Sequence, residues 1–141
     1  MSTIIGNTQD SRIETAKNAA ELAGRILLAT LFLLSGLGKI GAYSGTAAYM
    51  ASLGVPGALL PVVILTEVGG ALAIAAGWQT RIIAFLLAGF TMLSAVIFHS
   101  NFSDQMQMIN FMKNVSITGG FLLLVANGAG ALSLDRRSGR S

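Results

Sequence analysis

Six polar side chains stand where an otherwise apolar chain could do chemistry: Lys39, Glu67, His99, Asn110, Lys113 and Asn114. Glu67 is the most informative, because it is the single charge in ALLPVVILTEVGGALAIAAG, residues 58–77. An ionised carboxylate far from water costs several kcal/mol unless it is paired or neutral. Glu67 must therefore face the protein interior. It either pairs with Lys39 or Lys113, or stays protonated as a proton-relay or ligand-binding group. The plainer alternative is a fixed internal bond that only sets helix packing.

Lys39, His99, Asn110, Lys113 and Asn114 fall at one end of the apolar runs. Together they form an expected outer vestibule, with several donors beside an apolar interior, which suits an anion or a quinone head group. A lone interfacial histidine such as His99 is more often a hydrogen-bonded surface residue. One histidine excludes a bis-histidine haem site within the chain, and Met92, Met106 and Met108 read as packing residues rather than axial ligands, so haem is not expected. With no cysteine there is no disulfide framework, thiol relay, iron–sulfur cluster or thiolate nucleophile. No phosphate loop, HExxH or nucleophile elbow is present, and neither a catalytic residue nor a metal ligand set is expected.

The elements that must hold these groups are helices in a membrane. Of 141 residues, 53% are hydrophobic and only 11% are charged, against roughly 25% charged in water-soluble domains. Crossing a hydrocarbon core of roughly 30 Å takes about 20 helical residues. Four runs have about that length: residues 22–40, 58–77, 82–98 and 111–134. A β-barrel would need alternating strands, and FLLAGFTMLSAVIF does not alternate. The expected fold is an all-α membrane protein, a four-transmembrane-helix bundle. On the helix over 58–77, Glu67 lies about nine residues, or on the order of 14 Å, from the outer end.

Gly69, Ala73 and Gly77, and likewise Ser116 and Gly120, recur every four residues and predict helix-packing faces. Arg25 and Lys39 bound the first apolar run, with side chains long enough to snorkel outwards. Arg25 and Arg81 read as topology anchors, or as partners of Glu21 or a lipid phosphate. Arg12, Lys17, Arg81, Arg136, Arg137 and Arg140 fall on one side, while Lys39 and Lys113 fall on the other. The positive-inside rule then places both termini in the cytoplasm. The basic residues form no stripe interleaved with aromatics, so nucleic acid is not an expected partner. Residues 1–21 read as a polar tail, a short surface helix or disordered, and 135–141 as a basic tail. The first apolar run reads as a retained helix rather than a signal peptide. The uncharged GAYSGTAAYMASLGVPG over 41–57 reads as interfacial or re-entrant.

Several motifs resemble one family. They are Arg25, Gly36, Gly38 and Lys39 in R-x10-G-x-G-K; YMASLGVP over 49–56; Glu67, Gly69 and Gly70 in E-x-GG; and Gly77, Thr80 and Arg81 in G-x-x-TR. NFMKNVSITGGFLLL from Asn110 and SLDRR over 133–137 complete the set. The chain resembles the DoxX family of small four-helix bacterial inner-membrane proteins. That resemblance implies membrane redox assemblies, among them a thiosulfate:quinone oxidoreductase subunit and a mycobacterial complex for oxidative-stress defence. The expected function is an accessory or quinone-linked subunit of a membrane redox system, with a redox protein as partner and homo-oligomerisation possible. The alternatives are a small transporter or channel using Glu67 and the outer lysines, and a membrane scaffold or chaperone.

Overall fold

The computed structural model describes residues 2–140, with side chains described from Gln9 onward. The ends of the two expected tails, Met1 and Ser141, lie outside the described residues. Helix α1 runs over Ser2–Gly41, α2 over Tyr43–Ser52, α3 over Leu60–Ala76, α4 over Thr80–Phe98, α5 over Gln105–Asn127 and the short α6 over Leu134–Arg137. A 3₁₀ turn, Gly57–Leu59, leads into α3. Four helices, Gln9–Gly41, Gly57–Ala76, Thr80–Phe98 and Gln105–Asn127, are long and apolar enough to cross a membrane.

At 1.5 Å per residue the 40-residue α1 is on the order of 60 Å long, about twice a hydrocarbon core. Its polar N-terminal part is thus not a separate surface helix but a continuation of the first span. RIETAKNAAELA over residues 12–23 is rich in helix formers, and Lys17 meets Glu21 one turn on at 3.8 Å. Helix α2, at ten residues, is too short to span. It carries Tyr49 against Phe98 at the end of α4, with ring centroids 5.9 Å apart.

Helix α5 begins six residues before the expected run and ends seven before its expected close. Asp104 starts it, accepting from the N–H groups of Met106 at 2.8 Å and Gln107 at 3.4 Å. The run AGALS beyond Gly128 is apolar enough to read as more span, but it folds back as a loop against the α3–α4 turn.

The core is thin. Ala29 and Phe32 of α1, Ala71 and Ile74 of α3, Ala84, Leu87 and Ala88 of α4, and Phe121 of α5 are buried together. Phe32 meets Phe121 edge-on, centroids 5.2 Å apart. Alanines let the backbones approach, while leucines point outward: Leu27 is 73% and Leu65 72% exposed. That inversion suits a lipid solvent, which exacts no hydrophobic penalty for exposed leucine.

Of the glycines expected by spacing, Gly77 and Gly120 stand against neighbours, Gly77 against Arg25 and Ser133 and Gly120 against Leu28, but Gly69 does not. A Cβ at Gly69 would meet only Leu65 of its own helix, at 3.9 Å. At Gly36 it would come within 2.6 Å of Val68 Cγ2 and 3.2 Å of Glu67 Cβ, and at Gly70 within 2.9 Å of Leu87. Gly36 therefore sets the α1–α3 approach, and Gly70 the α3–α4 approach.

Candidate functional site

The approach at Gly36 places Glu67 against one face of α1. Glu67 is 5% exposed. Its Oε1 accepts from Lys39 Nζ at 2.9 Å and from the Ser35 hydroxyl at 3.1 Å. Lys39 also donates to Ser35 Oγ at 2.7 Å, closing a three-membered polar cluster. Serine and lysine lie one turn apart on α1, so both side chains reach the same carboxylate oxygen. Lys39 therefore turns toward the protein rather than snorkelling outwards, and its side chain is 26% exposed. Glu67 Oε2 is buried with no hydrogen-bond partner. One oxygen of this carboxyl is fully engaged and the other is open to a proton or a donor.

The remaining vestibule residues do not join this cluster. His99 pairs with Gln107, Nδ1 to Oε1 at 2.7 Å, across the α4–α5 connection. Among the described residues the side chains of Asn110 and Asn114 make no hydrogen bond and Lys113 makes no ion pair. Lys113 instead lines an apolar groove of about 530 Å³ with Leu31 of α1 and Met108, Ile109, Met112, Ser116 and Ile117 of α5. Ser35 and Gln107 were not among the expected residues. Ser35 was available in the sequence as the residue one turn before Lys39, whereas nothing in the sequence pairs Gln107 with His99.

A second polar cluster sits at the end of the bundle that carries the termini. Arg25 is 0% exposed. Its Nη1 donates to the carbonyls of Ile74 at 3.3 Å and Ala75 at 3.1 Å, and its Nη2 to the carbonyl of Leu132. Ile74 and Ala75 close α3, where carbonyls lack helical partners and the helix dipole is negative. This corrects the reading of Arg25 as a surface anchor: its guanidinium ties α3 and the post-α5 loop to α1. Gly77, at φ 68°, ends α3 in the left-handed conformation and leaves the room Arg25 and Ser133 occupy. Arg81 caps α5, its Nη1 donating to Val125 and Ala126 carbonyls at 3.0 Å each.

Asp135 completes this end and is not part of a free basic tail. It is 8% exposed and accepts the N–H groups of Gln79 at 2.7 Å and Thr80 at 2.8 Å at the start of α4. Its own N–H donates to the Gly77 carbonyl at 2.8 Å. Burial pushes its carboxyl up, but the Thr80 and Gln79 N–H groups and the nearby Arg140 charge outweigh that and hold it below the ordinary carboxylate range.

The DoxX family model matches residues 20–100. "Inner membrane protein YqjF" of Escherichia coli K12 is 54% identical over 115 residues, covering 82% of this chain and 88% of that protein. The chain belongs to the DoxX family. "Inner membrane protein YphA" of the same organism is 44% identical over 123 residues, again covering 82% of this chain and 88% of that protein. No solved structure matches. As a DoxX protein with four membrane-crossing helices, the chain is a multi-pass inner-membrane protein. The DoxX match includes Arg25, Lys39, Glu67, Arg81 and His99, while Lys113 and Asp135 lie beyond it.

Proposed function

We propose that the chain is a non-catalytic, quinone-linked accessory subunit of a membrane redox system, oriented with both termini in the cytoplasm. The observation that carries this reading is the groove between α1 and α5. Its volume, about 530 Å³, falls in the range of small-molecule sites, and its lining is apolar apart from Lys113 and Ser116. The Ser116 hydroxyl already donates to the Met112 carbonyl at 3.0 Å, which leaves Lys113 as the polar contact. An isoprenoid quinone has the matching chemistry: a carbonyl that accepts from an ammonium group and a tail that packs against Leu31, Met112 and Ile117. The electron carriers then belong to a partner protein.

The test is photolabelling of the full-length protein in native membranes with an azido-quinone, read by mass spectrometry of the labelled peptide. Labelling should fall on residues 105–117 and drop in Lys113→Ala. Labelling elsewhere, or labelling that Lys113→Ala leaves intact, overturns the quinone assignment.

One observation favours a second reading, that of a small transporter. The open Oε2 of Glu67 is what a carboxyl that takes up a proton inside a bundle requires. Proton flux into proteoliposomes that is lost in Glu67→Gln would establish this reading; equal flux in variant and parent would remove it.

A further inference from the structure

The end of the bundle that carries the termini holds a cleft the quinone reading does not use. It has a volume of about 250 Å³ and lies between the first turn of α4, with Arg81 and Ile82, and the chain after α5, with Gly128, Ala129 and Arg140. That is several times the ~30 Å³ share of one water molecule. Arg81 spends only Nη1 on the α5 carbonyls. Its Nε and Nη2 make no hydrogen bond among the described residues. They face Gly128, where a Cβ would stand 3.5 and 3.6 Å from them, so the missing side chain leaves that edge of the guanidinium open. The Arg140 side chain likewise makes no hydrogen bond or ion pair among the described residues.

The sign of the cleft is positive. Asp135 lines it too, but both its oxygens are taken by the Gln79 and Thr80 N–H groups. The start of α4 is therefore already capped, and the guanidiniums are the donors left over. Two arginines against one carboxylate leave a net charge near +1, with exposed Arg136 and Arg137 on the adjoining turn. A guanidinium edge with two parallel N–H groups matches a phosphate.

The surroundings distinguish a lipid phosphate from a dissolved one. Trp78, half exposed on the turn before Arg81, has the amphipathic ring that settles at a membrane boundary. Below Arg81 the outward face of α4 is an exposed apolar row of Ile82, Phe85, Leu86, Leu93 and Val96. Gly89 lies in the middle of that row, and a Cβ there would meet nothing within 4 Å. We propose that this cleft holds the phosphate of an anionic phospholipid through Arg81 and Arg140, with the acyl chains lying along the outward row of α4.

The experiment is native mass spectrometry of the full chain in mild detergent, titrated with phosphatidylglycerol, with phosphatidylcholine of the same chains, and separately with inorganic phosphate. Phosphatidylglycerol should be retained in preference to phosphatidylcholine, and Arg140→Gln should reduce its retention about five-fold, the effect of one basic residue near a lipid surface. Arg81→Gln should reduce it at least as much. Because that variant also loses the α5 cap, it is scored only if circular dichroism shows the helix content kept; Arg140→Gln decides alone if it does not. Equal retention of the two lipids, or retention of phosphatidylglycerol unchanged in Arg140→Gln, overturns the site. Displacement of the lipid by millimolar inorganic phosphate overturns the lipid as its occupant.

Discussion

The bundle buries two charges, Arg25 at the end that carries the termini and Glu67 midway along α3, and treats the two differently. Arg25 donates to three carbonyls from two chain segments, the close of α3 and the loop after α5. Its hydrogen bonds go to backbone that cannot leave without unfolding. Glu67 relies on two side chains of a single helix, Ser35 and Lys39, both acting on one oxygen. Lys39 is partly exposed, so this contact can open while the helices stay in place. The first arrangement fixes the fold, and the second leaves a buried group whose partner can change.

Breaking the fixed end should give the largest effect. Arg25→Leu leaves the Ala75 and Leu132 carbonyls without donors, while Ile74 keeps the Gly77 N–H, and should cost about 2–6 kcal/mol, at about 1–3 kcal/mol for each buried acceptor left unsatisfied. Arg25→Lys should recover little of it, because a single ammonium does not reproduce the fork that reaches both α3 and Leu132. Thermal unfolding followed by circular dichroism in detergent measures both. A variant as stable as the parent would end the distinction between the two buried charges.

The exchangeable pair should give the next effect, through a double-mutant cycle. Lys39→Met alone leaves the buried Glu67 carboxylate with only Ser35 and should cost about 3 kcal/mol. Lys39→Met combined with Glu67→Gln removes the charge as well and should restore most of that loss. If Lys39→Met alone is harmless, the ion pair does not hold the helices together.

The four spans were legible because length and hydropathy alone determine them. The need of Glu67 for a partner was legible too, since a lone carboxylate in an apolar helix demands a cation or a proton, but Lys39 and Lys113 stood equally open and only the α1–α3 approach singles out Lys39. Arg25 was misread for a physical reason. A basic residue at the edge of an apolar run has the same sequence signature whether it reaches out to lipid phosphate or in to helix-end carbonyls, and only the fold-back of residues 128–133 supplies Leu132. Asp135 was hidden in the same way, among arginines that suggested a solvated tail. Gly77 and Gly120 were placed on contact faces correctly, but Gly69 was taken in place of Gly70, because a four-residue period does not say which of two adjacent glycines faces a neighbour.

That one-position difference provides a finer test. Gly36→Ala drives a Cβ against Val68, a short and stiff side chain beside Glu67, and should cost about 1–3 kcal/mol as overpacking. Gly69→Ala makes only an ordinary contact with Leu65 of its own helix and should be neutral or slightly stabilising, since alanine suits a helix better by about 1 kcal/mol. Equal melting temperatures for the two variants would mean that α1 and α3 do not close on Gly36.

The smallest effect concerns how the fixed end responds to acid. The Asp135 carboxyl is held below its ordinary value, so its unprotonated form is favoured by folding. The stabilisation is then fully present above the unfolded value of about 3.9 and is lost as pH falls through the lower folded value. Asp135→Asn should cost about 1 kcal/mol at neutral pH, as loss of a helix cap does. It should also flatten the decline of stability below about pH 4. Melting temperatures of parent and variant between pH 3 and pH 7 should therefore converge toward the acid side. Parallel curves would mean that the α4 cap holds equally well when protonated, and that the carboxylate charge adds nothing to the end of the bundle that Arg25 already fixes.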